Sequence, residues 1–206
     1  MKKPYSQSGF TLLELLVVVT IIAMLMAFSY RMYKTRFGPE LQRTTRQLQT
    51  ILQHTYYLAT VNHVTYRVVF DMEAQSYFVE EGPKLVAKSN LSQSPEEEKK
   101  QEDEKKGDAN KSETPTFTPV QQGALSKAEL NPKVRLWGIF VEGMEAEKKE
   151  GVVYLYIFPK GFMQNGVIYL SDEYGKQISS LVINPLNATL KVESEYISPI
   201  ITGQQN

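Results

Sequence analysis

The sequence predicts an α+β protein, with a long N-terminal helix, apolar in its first half, packed on antiparallel β-structure. Three observations carry this. Residues 10–28 form a nearly unbroken apolar run. Residues 40–61 repeat apolar side chains at helical spacing. From residue 64 the hydrophobic period changes to two, and glycines and prolines punctuate the pattern.

The apolar run comes first. As a helix, Phe10 to Phe28 spans about 28 Å at roughly 1.5 Å per residue, close to the ~30 Å of a bilayer core. Its polar exceptions are Thr11, Glu14 and Thr20. Leu15 to Val19 shows no polar face, so lipid is a better environment for it than the surface of a soluble domain. A secretory signal would need a small-residue cleavage site after the run, and SYRMYKTRFG provides none. The small residue Gly9 instead precedes the run, behind the basic pair Lys2 and Lys3. A cut after Gly9 removes a leader of residues 1–9 and leaves residues 10–28 as a retained transmembrane anchor. It also makes Phe10 the new N-terminus, with a free ammonium. Glu14 is then the anomaly, because a carboxylate within hydrocarbon is costly and usually has a partner and a function. Charge alone does not orient the span: Lys2, Lys3 and the N-terminal amine stand on one side, and Arg31, Lys34 and Arg36 on the other.

Next comes a helical stem, residues 29–62. Gly38-Pro39 marks a kink or break, since proline lacks an amide hydrogen and restricts the residue before it. Beyond it, Leu41, Leu48, Ile51, Leu52, Thr55, Leu58 and Ala59 fall on one stripe. Gln42, Arg43, Arg46, Gln47, Gln49 and Gln53 lie opposite. This is an amphipathic helix that packs on its own domain.

Residues 63–206 read as a β-rich domain. HVTYRVVF, DMEAQ and SYFVEE form a hairpin. Further strands are expected at 133–141, 152–159, 166–170, 179–185 and 188–194. Gly151, Gly161, Gly166, Gly175 and Pro185 are read as turns. The stretch from about 83 to 131 interrupts this pattern. Within it, SPEEEKKQEDEKKGDANKSE (94–113) holds eight acids and five lysines and nothing apolar larger than alanine. Such composition cannot bury enough surface to offset its ordering entropy, so a disordered inserted loop is expected, with a partner-binding arm as the functional alternative.

Composition excludes several chemistries. Acids and bases balance at 23 each, and cysteine is absent, which rules out a disulfide scaffold. The only histidines, His54 and His63, are nine apart without a third ligand at metal-like spacing. Neither a G-x-S-x-G elbow nor a phosphate-binding glycine loop occurs. Asp172 and Glu173 raise the question of calcium, but a hairpin turn explains them more simply. No catalytic residue, cofactor or metal is expected. Nucleic-acid binding needs clustered bases, and residues 152–206 hold three lysines against four acids. The stem is more basic, with Arg31, Lys34, Arg36, Arg43, Arg46 and Arg67 against Glu40 alone, but lipid headgroups or neighbouring subunits suit it better than DNA.

The string GFTLLE, Gly9 to Glu14, followed by an apolar run, resembles the class III signal of type IV pilins and type II secretion pseudopilins. The resemblance implies that a prepilin peptidase cuts between Gly9 and Phe10 on the cytoplasmic side and N-methylates Phe10. It implies that Glu14 guides assembly by pairing with a neighbouring subunit's terminal amine. It also implies a single-pass inner-membrane protein with residues 29–206 in the periplasm. Its partners would be other pseudopilins or pilins, the peptidase, the inner-membrane assembly platform and membrane lipid. Within this group the chain is similar to the H-type minor pseudopilin. The helix leads through HTYYLATVNHVTYRVVFD into a first strand, Phe158 and Gly161 resemble that type's F-x-x-x-G turn but one residue shorter, as F-P-K-G, and SSLVINPLNATLKV resembles its closing strand–turn–strand, with Asn187 at a common turn glycine. The implied function is that of a minor pseudopilin, helping export folded proteins across the outer membrane. A minor pilin of a type IV pilus is the alternative.

Overall fold

The computed structural model describes residues 11–33, 38–84, 86, 91–99, 115–121, 123–186 and 189–199, without the side chains of 27–33 and 124. The chain forms two compact units, Met1–Arg36 and Phe37–Asn206.

In the first unit, helix α1 runs from Leu12 to Tyr33. Its polar Thr20 returns its hydroxyl to the carbonyl of Val17 at 2.8 Å, which conceals one of the few hydrogen-bonding groups of the run. Leu12 to Met26 are exposed.

The second unit opens with α2, Pro39–Asn62. Proline at the first helical position costs nothing there, because that amide has no intrahelical partner. The amide of Gly38 is held by the Gln177 side chain at 2.8 Å. The helix ends at His63 in the left-handed region, φ 55°. Its expected stripe is the buried one: Leu41, Leu48, Ile51, Leu52, Thr55 and Ala59 face inward, joined by Thr44 and Thr45. Thr45 tolerates its burial because its hydroxyl donates to the carbonyl of Leu41 at 2.7 Å.

Two antiparallel sheets follow. One has the order β3-β2-β1-β6-β7, with β4 also on β2. Its strands are β1 (Tyr66–Asp71), β2 (Ser76–Glu81), β3 (Thr118–Pro119), β4 (Ala128–Glu129), β6 (Val152–Phe158) and β7 (Phe162–Met163). The other has the order β10-β9-β8-β5, with β5 (Val134–Val141), β8 (Gly166–Asp172), β9 (Ile178–Ile183) and β10 (Leu190–Glu193). Leu41, Leu48 and Leu52 of α2 join Val68, Phe70, Leu155, Ile139, Ile168 and Leu181 in one core.

The five long strands and the first hairpin stand where the hydrophobic period places them. Gly166 differs: it is not a turn but the first residue of β8. A Cβ there would meet the carbonyl oxygen of Phe140 at 2.5 Å, so glycine is required by close strand approach. Gly151, Gly161 and Gly175 do occupy positive φ. Asn187 lies outside the described residues.

The stretch 83–131 also differs from the disordered loop expected of it. Residues 91–99, 115–121 and 123–130 hold structure, including β3 and β4. The outer face of the first sheet is the reason. Val69, Tyr154, Tyr156 and Phe158 make a second apolar cluster, and Leu91 and Phe117 from the inserted stretch pack on it. β1 is therefore covered on both sides, which buries Arg67 and Val69 as well as Tyr66, Val68 and Phe70. Residues 100–114 lie outside the described residues.

Candidate assembly site and the buried arginine

Of the three residues expected to process and assemble the chain, Gly9 and Phe10 lie outside the described residues. Glu14 sits in the first turn of α1, exposed. Its amide donates to the carbonyl of Thr11 at 3.1 Å and to the Thr11 hydroxyl at 3.3 Å. Thr11 thereby acts as the N-terminal cap. The sequence T-x-x-E is the spacing of a capping box, in which a threonine hydroxyl accepts the amide three residues on. That motif was open to a sequence reader, and it gives Glu14 a local structural place. A carboxylate in the first turn also complements the positive end of the helix dipole. The arrangement presents one negative charge at the start of an apolar rod whose side chains point outward: Leu12 is 85% exposed and Met24 73%. Among the described residues, no helix is long and apolar enough to cross a membrane; the described side chains of α1 stop at Met26.

The histidines do not converge. His54 is exposed on α2, and His63 caps its end, also exposed. Among the described residues no group of three or more His, Cys, Asp or Glu could hold a metal ion. Asp172 closes the β8–β9 turn, as a hairpin requires: its carboxylate accepts the amides of Lys176 at 2.7 Å and Gln177 at 2.9 Å. Phe158 and Gly161 bracket a second turn, with the Gly161 amide donating to the Phe158 carbonyl at 3.3 Å, and Gly161 at φ 79°. The Gly161 carbonyl accepts the Tyr56 hydroxyl of α2 at 2.8 Å.

Arg67, counted in sequence among the basic residues of the stem, belongs to strand β1. It is the electrostatic centre of the domain. Its guanidinium lies 4.1 Å from the ring centre of Phe117 and 3.9 Å from that of Tyr154. It pairs with Glu80, its register partner on β2, and with Glu98 at 3.1 Å. Burial opposes its charge, but hydrogen bonding to Glu80 and that residue's negative charge hold its pKa above the ordinary arginine value. Glu98 also accepts the Tyr154 hydroxyl at 3.2 Å. The backbone of the same segment is held too, since the Ser92 carbonyl accepts the Tyr156 hydroxyl at 2.8 Å and the Gln93 carbonyl accepts the Tyr154 amide at 2.9 Å. Arg67 thus fastens residues 91–99 as a strap across the outer face of the first sheet. The cross-strand pairing of Arg67 with Glu80 had a sequence signal, two charges at symmetric places about the hairpin turn. The pairing with Glu98 had none.

No curated protein sequence matches the chain significantly. Among solved structures, two of the minor pseudopilin EpsH from the type II secretion system of Vibrio cholerae superpose with TM-scores of 0.46 and 0.49. Each is 10% identical to this chain; they cover 75% and 78% of it and 97% of their own chains. The segment that holds Gly9, Phe10 and Glu14 matches a defined family model: residues 5–30 carry the prokaryotic N-terminal methylation motif.

Proposed function

We propose that this chain is a minor pseudopilin of a type II secretion pseudopilus, assembled through its N-terminal helix. The observation that carries the proposal is the methylation motif over residues 5–30, which encloses the Gly9-Phe10 junction and Glu14. In this reading residues 1–9 are removed as a leader, Phe10 becomes the methylated N-terminus, and residues 10–28 anchor the protein once in the inner membrane. Residues 29–62 form the stem, and residues 63–206 form the periplasmic domain. Other pseudopilins, the prepilin peptidase and the assembly platform are its partners. The motif serves type IV minor pilins equally well; the lack of cysteine favours the secretion reading, because pilins commonly close a C-terminal loop with a disulfide.

The role of Glu14 follows from desolvation. A lone carboxylate in hydrocarbon costs at least a few kcal/mol. The terminal ammonium of an adjacent subunit supplies the missing partner, so assembly relieves a cost that the isolated chain bears. Glu14→Gln therefore still inserts, still loses its leader and still folds its outer domain, but fails to join the filament. Cysteine cross-linking of this protein to neighbouring pseudopilins in the membrane tests the reading. Loss of the cross-links in Glu14→Gln is expected. Cross-linking and secretion at wild-type levels would remove the assembly role.

A further inference from the structure

We infer that the outward face at the start of α2 docks on the headgroups of an anionic membrane surface through Arg43 and Arg46. The inference rests on the anchored reading above and adds a named contact to it. The two arginines stand three apart on one face of the helix, and both are exposed. With Pro39, Gln42, Gln47 and Thr50 they line a shallow depression of about 360 Å³ that contains no carboxylate. Like charges at this spacing repel and destabilise an isolated helix. Natural surfaces relieve this with a neighbouring acid, but neither guanidinium has a hydrogen-bond or ion-pair partner among the described residues. The one acid near the helix start, Glu40, is turned away and accepts the Asn131 amide at 2.9 Å. The positive end of the α2 dipole adds to the same potential.

The unmatched charge asks for an anion, and the chain order says which kind is at hand. In sequence, α2 follows α1 after only residues 34–38. Between 29 and 46 the chain holds Arg31, Lys34, Arg36, Arg43 and Arg46 against Glu40 alone. Bases near an anionic bilayer surface gain about 1 kcal/mol each, and in the anchored reading the surface at hand is the periplasmic leaflet. Apart from Pro39 and the Thr50 hydroxyl, the face is built of amides and guanidinium groups, which donate to phosphate. Phosphate oxygens of an anionic phospholipid are therefore its occupant.

The chain contains no cysteine, so one introduced at Gln47, beside both arginines, can carry a single fluorophore. The full chain is reconstituted into vesicles of phosphatidylcholine, or of phosphatidylcholine with phosphatidylglycerol, each holding a headgroup-nitroxide lipid as quencher. Selective quenching in the anionic vesicles is expected. It should weaken with salt and fall roughly tenfold or more in R43Q/R46Q, the order expected of two bases near an anionic surface. Both positions are exposed, and an unchanged near-ultraviolet spectrum checks that the double variant folds. Equal quenching in both lipids would overturn the docking and leave the anchor standing. No quenching in either would also overturn the docking, and co-flotation of the chain with the vesicles reads the anchor separately. Displacement of the probe by duplex DNA at matched charge would assign the face to nucleic acid and overturn the proposal.

Discussion

Helices α1 and α2 are almost equal in length, 22 and 24 residues, and opposite in how they treat apolar surface. In α2 the apolar side chains occupy one stripe and disappear against the sheets: Leu48 is 1% exposed and Leu52 0%. In α1 they surround the helix and stay exposed, with Leu16 at 58% and Ile21 at 53%. A stripe is a request for a partner within the fold, whereas an apolar rod asks for an apolar surrounding. The difference separates stability from assembly. Changes on α2 should move the unfolding of the outer domain, and changes on α1 should move only membrane partition and incorporation.

The sharpest break of that comparison is a matched pair of truncations. Leu52→Ala removes a fully buried side chain between both sheets and should cost about 2–5 kcal/mol. Val18→Ala on α1 should leave the unfolding of the outer domain unchanged. Thermal denaturation followed by the single tryptophan, Trp137, reads both. It is well placed, because its ring meets Tyr169 edge-on at 6.0 Å and lies beneath the Lys149 ammonium at 3.9 Å.

A smaller effect is expected at the strap. Glu98→Gln removes one of the two carboxylates on Arg67 while Glu80 remains, so the guanidinium keeps a counter-charge. Loss of a charged hydrogen bond here should cost about 1–3 kcal/mol. Proteolysis within 91–99 should accelerate more than global unfolding does, because the strap can open without the sheet. Equal acceleration throughout the domain would mean that the strap and the sheet unfold as one.

The outer domain should also be sensitive to alkali. Burial pushes the phenols of Tyr66, Tyr77, Tyr154, Tyr156 and Tyr169 up from their ordinary value. At Tyr154 and Tyr156 the Arg67 charge opposes that rise without cancelling it. The folded protein thus holds these protons more tightly than the unfolded chain. The contribution is fully present below the unfolded pKa near 10 and is lost as pH rises through that value toward the folded ones. Denaturant midpoints measured across this window should fall, together with delayed phenolate absorbance. α1 contains no tyrosine before Tyr30, and membrane partition should not follow the same curve.

The smallest effect concerns the charged arc. The two arms of the inserted stretch meet at one residue, since Glu98 and Phe117 both contact Arg67. Removing 103–111 takes nine of the eighteen residues between Glu98 and Phe117, and halving a loop changes closure cost by only about 0.6 kcal/mol. The midpoint of unfolding should hardly move. Extending the deletion back to Ser94 should cost more, because it removes Glu98 with it.

Much of this architecture was legible in the residues. The stripe of α2 and the alternation of β1, β2, β6 and β8 follow directly from period. Short strands such as Thr118–Pro119 and Ala128–Glu129 were not, because two residues show no period. Nor was the strap. SPEEE reads as solvated by composition, and only the fold brings Glu98 to Arg67, 31 residues away in sequence. Gly166 was misplaced as a turn because a glycine required by a neighbouring backbone looks the same in sequence as one required by positive φ. At the candidate site the reverse holds. Gly9, Phe10 and Glu14 are singled out by the resemblance that GFTLLE carries, and the structure adds the Thr11 cap to the last of them.

N-terminal mass analysis of the protein recovered from the membrane tests the central claim most directly. The account predicts a mature chain that begins at Phe10 with a methylated amine. Gly9→Ala should be processed nearly as well, while a bulky charged residue at position 9 should block the cut. A mature protein that begins at Met1, or one cut after the apolar run, would contradict the account.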